Sequence, residues 1–162
     1  MKSLAIAVLL SSCAISQNAA PDAACGPQNV TFKVIRDKTQ HPTPAPQTGK
    51  AMVYVLGVGT LAVDGNLIGA VDGNGTYFFT ELDSGEHHLC ERFPGRLPGP
   101  LGLPIIKINY SALHSLDAKS GETYYLRLRL NFRDYGFTLE VLAPDEGKLF
   151  LASSTFSTSN PK

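Results

Sequence analysis

Two thiols (Cys25 and Cys90), two adjacent imidazoles (His87 and His88) and one glycine run are the places in this sequence where residue type and spacing could do chemistry. The run Gly57-Val58-Gly59-Thr60-Leu61-Ala62 matches the dinucleotide fingerprint G-x-G-x-x-A and directly follows a strand-like segment. That fingerprint works when a helix comes next, because amides at the helix N-terminus hold the pyrophosphate. Here the chain continues Val63-Asp64-Gly65-Asn66, a turn, so the run reads as a loop and no nucleotide is expected. His87 and His88 are neighbours on a predicted strand, where successive side chains point to opposite faces. They cannot share one ion without a bulge, and Cys90 is taken by the disulfide argued below, so neither a metal nor any other cofactor is expected. No G-x-S-x-G elbow presents a serine nucleophile. Asp64, Asp72, Asp83 and Asp134 fall mostly in turns, where aspartate is favoured for its local hydrogen bonds. No catalytic residue is assigned, and a small hydrolase built from loop histidines and carboxylates stands as the alternative.

Residues 1–20 read as a leader, with Lys2 as the positive n-region and residues 4–10 (L-A-I-A-V-L-L) as a short apolar core. Such a run is far below the roughly 20 residues that a membrane-spanning helix needs. Ala14-Ile15-Ser16 and Asn18-Ala19-Ala20 suit a cleavage site, whereas Leu10-Ser11-Ser12-Cys13 suits a bacterial lipobox with Cys13 acylated. Either route removes Cys13 from the thiol count and leaves Cys25 and Cys90 to pair in an oxidising compartment. The expected location is exported: periplasmic, outer-membrane-anchored or extracellular.

The elements that position these residues are short and β-rich. Residues 21–49 hold a strand (30–34, V-T-F-K-V) and a Pro-rich linker (41–49, H-P-T-P-A-P-Q-T-G), expected to be extended and too polar to dock. The main domain spans 50–153. Strands are expected at 52–56, at 60–64 and 67–71 around the Asp64-Gly65-Asn66 hairpin, and, after a second turn at Asp72-Gly73-Asn74-Gly75, at 76–82, 86–93 and 105–110. The clearest hairpin joins 124–130 (Y-Y-L-R-L-R-L) to 137–141 (F-T-L-E-V), both with a period of two. If Leu130 faces Phe137, then Leu128 faces Leu139 and Arg127 faces Glu140. Leu126, Leu128, Leu139 and Val141 would be buried and the ion pair would lie on the wet face. Pro144-Asp145-Glu146 starts a short C-terminal helix, and residues 154–162 read as a polar tail. The expected fold is all-β, an antiparallel β-sandwich of about 7–9 short strands.

Lys plus Arg and Asp plus Glu balance at 14 each, with no basic cluster. A neutral domain has no electrostatic reason to bind nucleic acid or an anionic bilayer, so membrane contact is expected only through a lipid on Cys13. Sequons at Asn29, Asn74 and Asn109 matter only in a host that glycosylates secreted proteins. The expected binding surface combines Tyr77 and Phe79 with Leu97, Leu101 and Leu103 of the apolar loop 94–104 (P-G-R-L-P-G-P-L-G-L-P), since loops on a rigid scaffold often carry function. The bland alternative has the leucines folding back over the end of the sandwich.

Several stretches stand in a familiar order. They are Gly49-Lys50-Ala51-Met52-Val53-Tyr54-Val55, Val63-Asp64-Gly65-Asn66-Leu67-Ile68-Gly69, Gly75-Thr76-Tyr77-Phe78-Phe79, Ser84-Gly85-Glu86-His87-His88-Leu89 and Ser120-Gly121-Glu122-Thr123-Tyr124-Tyr125-Leu126-Arg127. Over residues 50–142 this order resembles the bacterial domain-of-unknown-function family 2846, found in small exported proteins and lipoproteins. The middle is also similar to P-E-G-A-type surface modules, which share a V-D-G-x-x-x-G hairpin followed by G-x-H. The resemblance implies a β-sandwich in the cell envelope and brings no catalytic residues. Cys25, Cys90 and the long Pro/Gly loop are additions to that pattern. The expected role is a non-enzymatic envelope module that binds a protein or glycan, with a purely structural stalk as a third reading.

Overall fold

The computed structural model describes residues 25–27, 30–97, 106–131 and 136–162. The expected leader, Cys13, Leu101, Leu103 and the tip of the last hairpin lie outside the described residues. Eight strands and one helix follow in the order β1 (Phe32–Asp37), β2 (Lys50–Val63), β3 (Asn66–Asp83), β4 (Gly85–Leu97), β5 (Ile106–Ala118), β6 (Thr123–Asn131), β7 (Gly136–Leu142), α1 (Pro144–Ala152) and β8 (Thr155–Pro161). The described elements are β-strands apart from α1. The described strands join in one mixed sheet and are not all antiparallel: β2 pairs β6 in parallel, and β3 pairs β8 in parallel. Alternation within a strand reports which face is buried and carries nothing about the direction of its partner, so these two long-range pairings were invisible in the residue pattern.

β2 is the axis. One of its edges pairs β3 along nearly its whole length. Its other edge is shared: Met52–Leu56 pair β6, and Thr60–Val63 pair β4. The sheet forks between them, at Gly57-Val58-Gly59. Both glycines have positive φ (102° and 144°). A Cβ on Gly57 would lie 2.7 Å from the Leu128 carbonyl oxygen, and one on Gly59 would lie 2.6 Å from that of Arg92. The fingerprint glycines therefore let two strands crowd one bend, and no phosphate-binding helix follows them. They also fuse the two expected strands into one. Likewise Asp72-Gly73-Asn74-Gly75 does not separate two strands. The ladder steps from Leu56↔Tyr77 to Val58↔Asp72, so residues 73–76 leave the β2 ladder, and Thr76 pairs with Thr155 of β8 instead.

Because β2 is covered on both faces, its side chains split between two cores. Ala51, Val53, Val55, Leu61 and Val63 join Val71, Phe78, Leu89, Leu116, Leu126 and Leu139. Met52, Tyr54 and Leu56 join Tyr77, Tyr125, Leu142 and Leu151 under α1. The helix starts at Pro144, whose fixed φ suits a first helical turn, and Asp145 and Glu146 complement the positive end of its dipole. Gly147 presses on the Tyr125 ring so closely that a Cβ there would overlap it, at 2.1 Å from Cγ.

The last hairpin has the expected register: Leu128 faces Leu139, Arg127 faces Glu140 and Leu130 faces Phe137. Two details differ. Val141 stays 37% exposed on β7, an outer strand. The Arg127–Glu140 pair (3.1 Å) lies partly under α1 instead of on an open face, with the guanidinium 4.3 Å over the Phe150 ring. The expected polar tail is β8, which lies between β1 and β3. Its hydroxyls are what allow this: Ser157 donates to the Tyr77 carbonyl, and Ser159 accepts from the Ala70 amide.

Candidate functional site

The Pro-rich segment does dock, against expectation. Its carbonyls, left free by the absence of sheet pairing, meet tyrosine hydroxyls that would otherwise be buried without partners. Tyr77 donates to the Pro42 carbonyl and Tyr54 to the Pro44 carbonyl, each at 3.1 Å. His41 Nε2 donates to the Leu151 carbonyl at the end of α1 (3.0 Å), and its ring lies 5.1 Å from that of Tyr77. The Gln47 amide donates to Glu81 (2.8 Å). Residues 41–47 thus form a strap across the face of the sheet.

Between strap and helix runs a cleft of about 460 Å³, lined by His41, Thr43, Pro44, Ala45, Pro46, Tyr54, Thr123, Tyr125, Lys148, Leu151 and Ala152. Tyr54 and Tyr125 form its floor, stacked at 5.4 Å with an interplanar angle of 14°. Burial and the neighbouring Tyr125 and Tyr77 phenols push the Tyr54 hydroxyl up to about 12, so it stays protonated and keeps donating to the strap. The walls are of two kinds. Alternating prolines hold one wall extended before anything binds. The other is the Lys148–Leu151–Ala152 surface of α1.

Of the expected binding surface, Tyr77 is fully buried (0% exposed), between His41, Tyr54 and Phe156. It forms the layer beneath the strap and is no part of a surface, because the strap covers the face it was expected to present. Phe79 is half-buried against Tyr54 and Phe156 in the same cluster. Leu97 ends β4; Leu101 and Leu103 lie outside the described residues. His41, Tyr54, Tyr125 and Lys148 were missed as a group. The H-P-T-P-A-P spacing does contain a signal for them, since a rigid extended segment with alternating carbonyls suits a row of tyrosine hydroxyls.

Cys25 and Cys90 form the expected disulfide, with Cα atoms 4.9 Å apart. It packs on Ala62, and Arg92 donates to the Gly26 and Pro27 carbonyls beside it. His87 has acceptors on both ring nitrogens: the Asp64 carboxylate 2.7 Å from Nδ1 and the Asp83 carbonyl 2.8 Å from Nε2. Both partners only accept, so the ring carries two protons here. Burial opposes that charge, but the bonds to Asp64 and Asp83 outweigh it and raise the His87 pKa. Asp64 also accepts from the His88 amide (2.8 Å), and despite some burial its pKa is lowered by these bonds. The imidazolium clasps two turns together and has no nitrogen left to act as a base.

Glu91 is the one charged residue buried among the described residues, and the residue pattern did not mark it. It is 1% exposed among the leucines of the first core, and both carboxyl oxygens lack a partner among the described residues. Burial raises its pKa well above the usual carboxylate value. Among the described residues no group of His, Cys, Asp and Glu is placed to hold a metal ion, and no helix is long and apolar enough to cross a membrane. No family profile, no curated protein and no solved structure matches the chain.

Proposed function

We propose that this chain is a non-enzymatic, exported cell-envelope module, and that the cleft between strap and helix receives a segment of a protein partner. The cleft carries the reading: a preformed concave site with a rigid wall and an aromatic floor fits the size and character of binding pockets. A glycan is the weaker occupant, because sugar rings stack on open aromatic faces, and Tyr54 and Tyr125 are only 3% and 6% exposed. Export is supported by the leader-like N-terminus and by the disulfide, which persists in oxidising compartments. The similarity in motif order to small exported proteins and lipoproteins points the same way. A hydrolase is disfavoured by His87, whose nitrogens are both engaged, and by Glu91, which lies away from the cleft.

The test is photocrosslinking in the native envelope, with a benzophenone side chain at Ala152 on the cleft rim or at exposed Ser115 on β5. The expected result is a discrete adduct from position 152 and none from 115. Equal labelling at both positions, or none at either, overturns the proposal. Intact-mass analysis of the native chain checks export separately: loss of residues at or before position 20, or an acyl adduct on Cys13, is expected.

A further inference from the structure

We infer that the cleft is built for a polypeptide C-terminus, with an apolar last side chain between the strap prolines and Leu151 and the terminal carboxylate at Lys148. The inference rests on the cleft reading above and names its ligand. Three observations carry it.

The first is charge. The lining contains one ammonium, Lys148, and no carboxylate. Lys148 is exposed and makes no ion pair among the described residues. An apolar cleft with a single cation at its rim selects a ligand that is apolar at one end and anionic at the other. Internal segments of a chain carry no such charge unless they contain Asp or Glu, whose carboxylate is the polar end of a side chain. A C-terminal residue offers its apolar side chain and a carboxylate on the same Cα, within the reach of one cleft.

The second is the donor set. Thr43 and Thr123 line the same cleft, and a threonine hydroxyl can donate to a carboxylate oxygen. His41, the remaining polar residue, already has Nε2 committed to the Leu151 carbonyl. That bond fixes the ring and holds the strap open at that end.

The third is preorganisation. The strap is pinned at Pro42, Pro44 and Gln47, and α1 is pinned against Tyr125 through Gly147. Neither wall must be ordered when the ligand arrives, so little entropy opposes a contact made by only one or two residues.

The experiment is fluorescence anisotropy on the disulfide-intact chain. The probe is a pool of fluorescein-labelled tetrapeptides, Ser-Ala-Ser followed by Val, Leu or Phe, made with either a free or an amidated C-terminus. The free-acid pool is expected to bind about tenfold more tightly than the amide pool. Lys148→Gln should remove that difference, whereas Lys119→Gln, on another part of the surface, should leave it. Ala152→Trp should abolish binding of both pools by filling the cleft. If acid and amide bind equally and Ala152→Trp still abolishes both, the carboxylate inference fails while the cleft stands. If neither pool binds, or Ala152→Trp changes nothing, both readings fail. If free 4-phenylbutyrate displaces the acid pool as effectively as unlabelled peptide does, the occupant is a small organic acid and the polypeptide assignment is wrong.

Discussion

Replacing Glu91 by Leu should stabilise this protein and remove a specific part of its pH dependence. The carboxyl is 1% exposed and lacks a partner among the described residues, so it folds as the neutral acid at the cost of its bonds to water. An unmet buried polar group costs about 1–3 kcal/mol, and an apolar side chain of similar size recovers much of it. The pH effect follows from linkage. In the unfolded chain Glu91 releases its proton near the ordinary value of 4.5, whereas burial raises its folded value well above that. Once pH passes the unfolded value, the folded state binds more protons, so stability falls as pH rises until the folded value is reached. With the folded value raised well above this window, the loss between about pH 5 and about pH 6 comes to about 1 kcal/mol. This window isolates Glu91. Asp37, Asp64 and Asp83, whose folded values are lowered, are already ionised in both states. His87 is still largely protonated in both. Urea unfolding at these two pH values measures the effect directly. The wild type should lose stability and Glu91→Leu should be flat. A flat wild type, or an equal slope in the variant, would mean that the carboxyl reaches water or a cation and that the burial argument is wrong.

Other perturbations separate the remaining interactions. His87→Ala should cost stability at pH 6 and much less well above the raised folded value, because the imidazolium clasp is present below its unfolded value of 6.5 and lost as pH rises; a pH-independent cost by chemical denaturation would refute the two-proton assignment. Leu128→Ala should cost about 2–5 kcal/mol in the same assay. Arg127→Ala should cost about 1 kcal/mol, since its ion pair is partly exposed and its ring contact modest, and comparable losses for the two would contradict the register. Reducing the Cys25–Cys90 bond, which closes 65 residues, should cost about 4 kcal/mol, and thiol counting on the processed monomer should find no free thiol.

What could be read from the residues was what local patterning encodes. The period of two in residues 124–130 and 137–141 fixed which side chains meet, and the observed register repeats it. Pro144 with two acids behind it marked the helix, and the cysteine arithmetic gave the bridge. The fork at Gly57 and Gly59 escaped because the same glycines that usually end a strand here admit two neighbouring backbones. The cleft escaped because it depends on distant contacts: a Pro-rich strap docks only where tyrosines from β2 and β3 stand ready to donate. Tyr77 was misplaced for the same reason, as an aromatic run looks alike whether its cover is solvent or a strap 35 positions earlier.

The position of β8 has a consequence for how this chain comes into being. Among the described residues β1 has β8 as its one sheet partner, and β8 in turn lies between β1 and β3. Phe32 pairs with Pro161, so β1 enters the sheet only once β8 is in place. A ribosome that has released everything up to α1 has produced an amino-terminal segment with no sheet to join. Pairing of β1 therefore waits on β8, and a chain cut short before Thr155 leaves that strand held only through the Cys25–Cys90 bond, the strap and the Arg36–Asp72 pair.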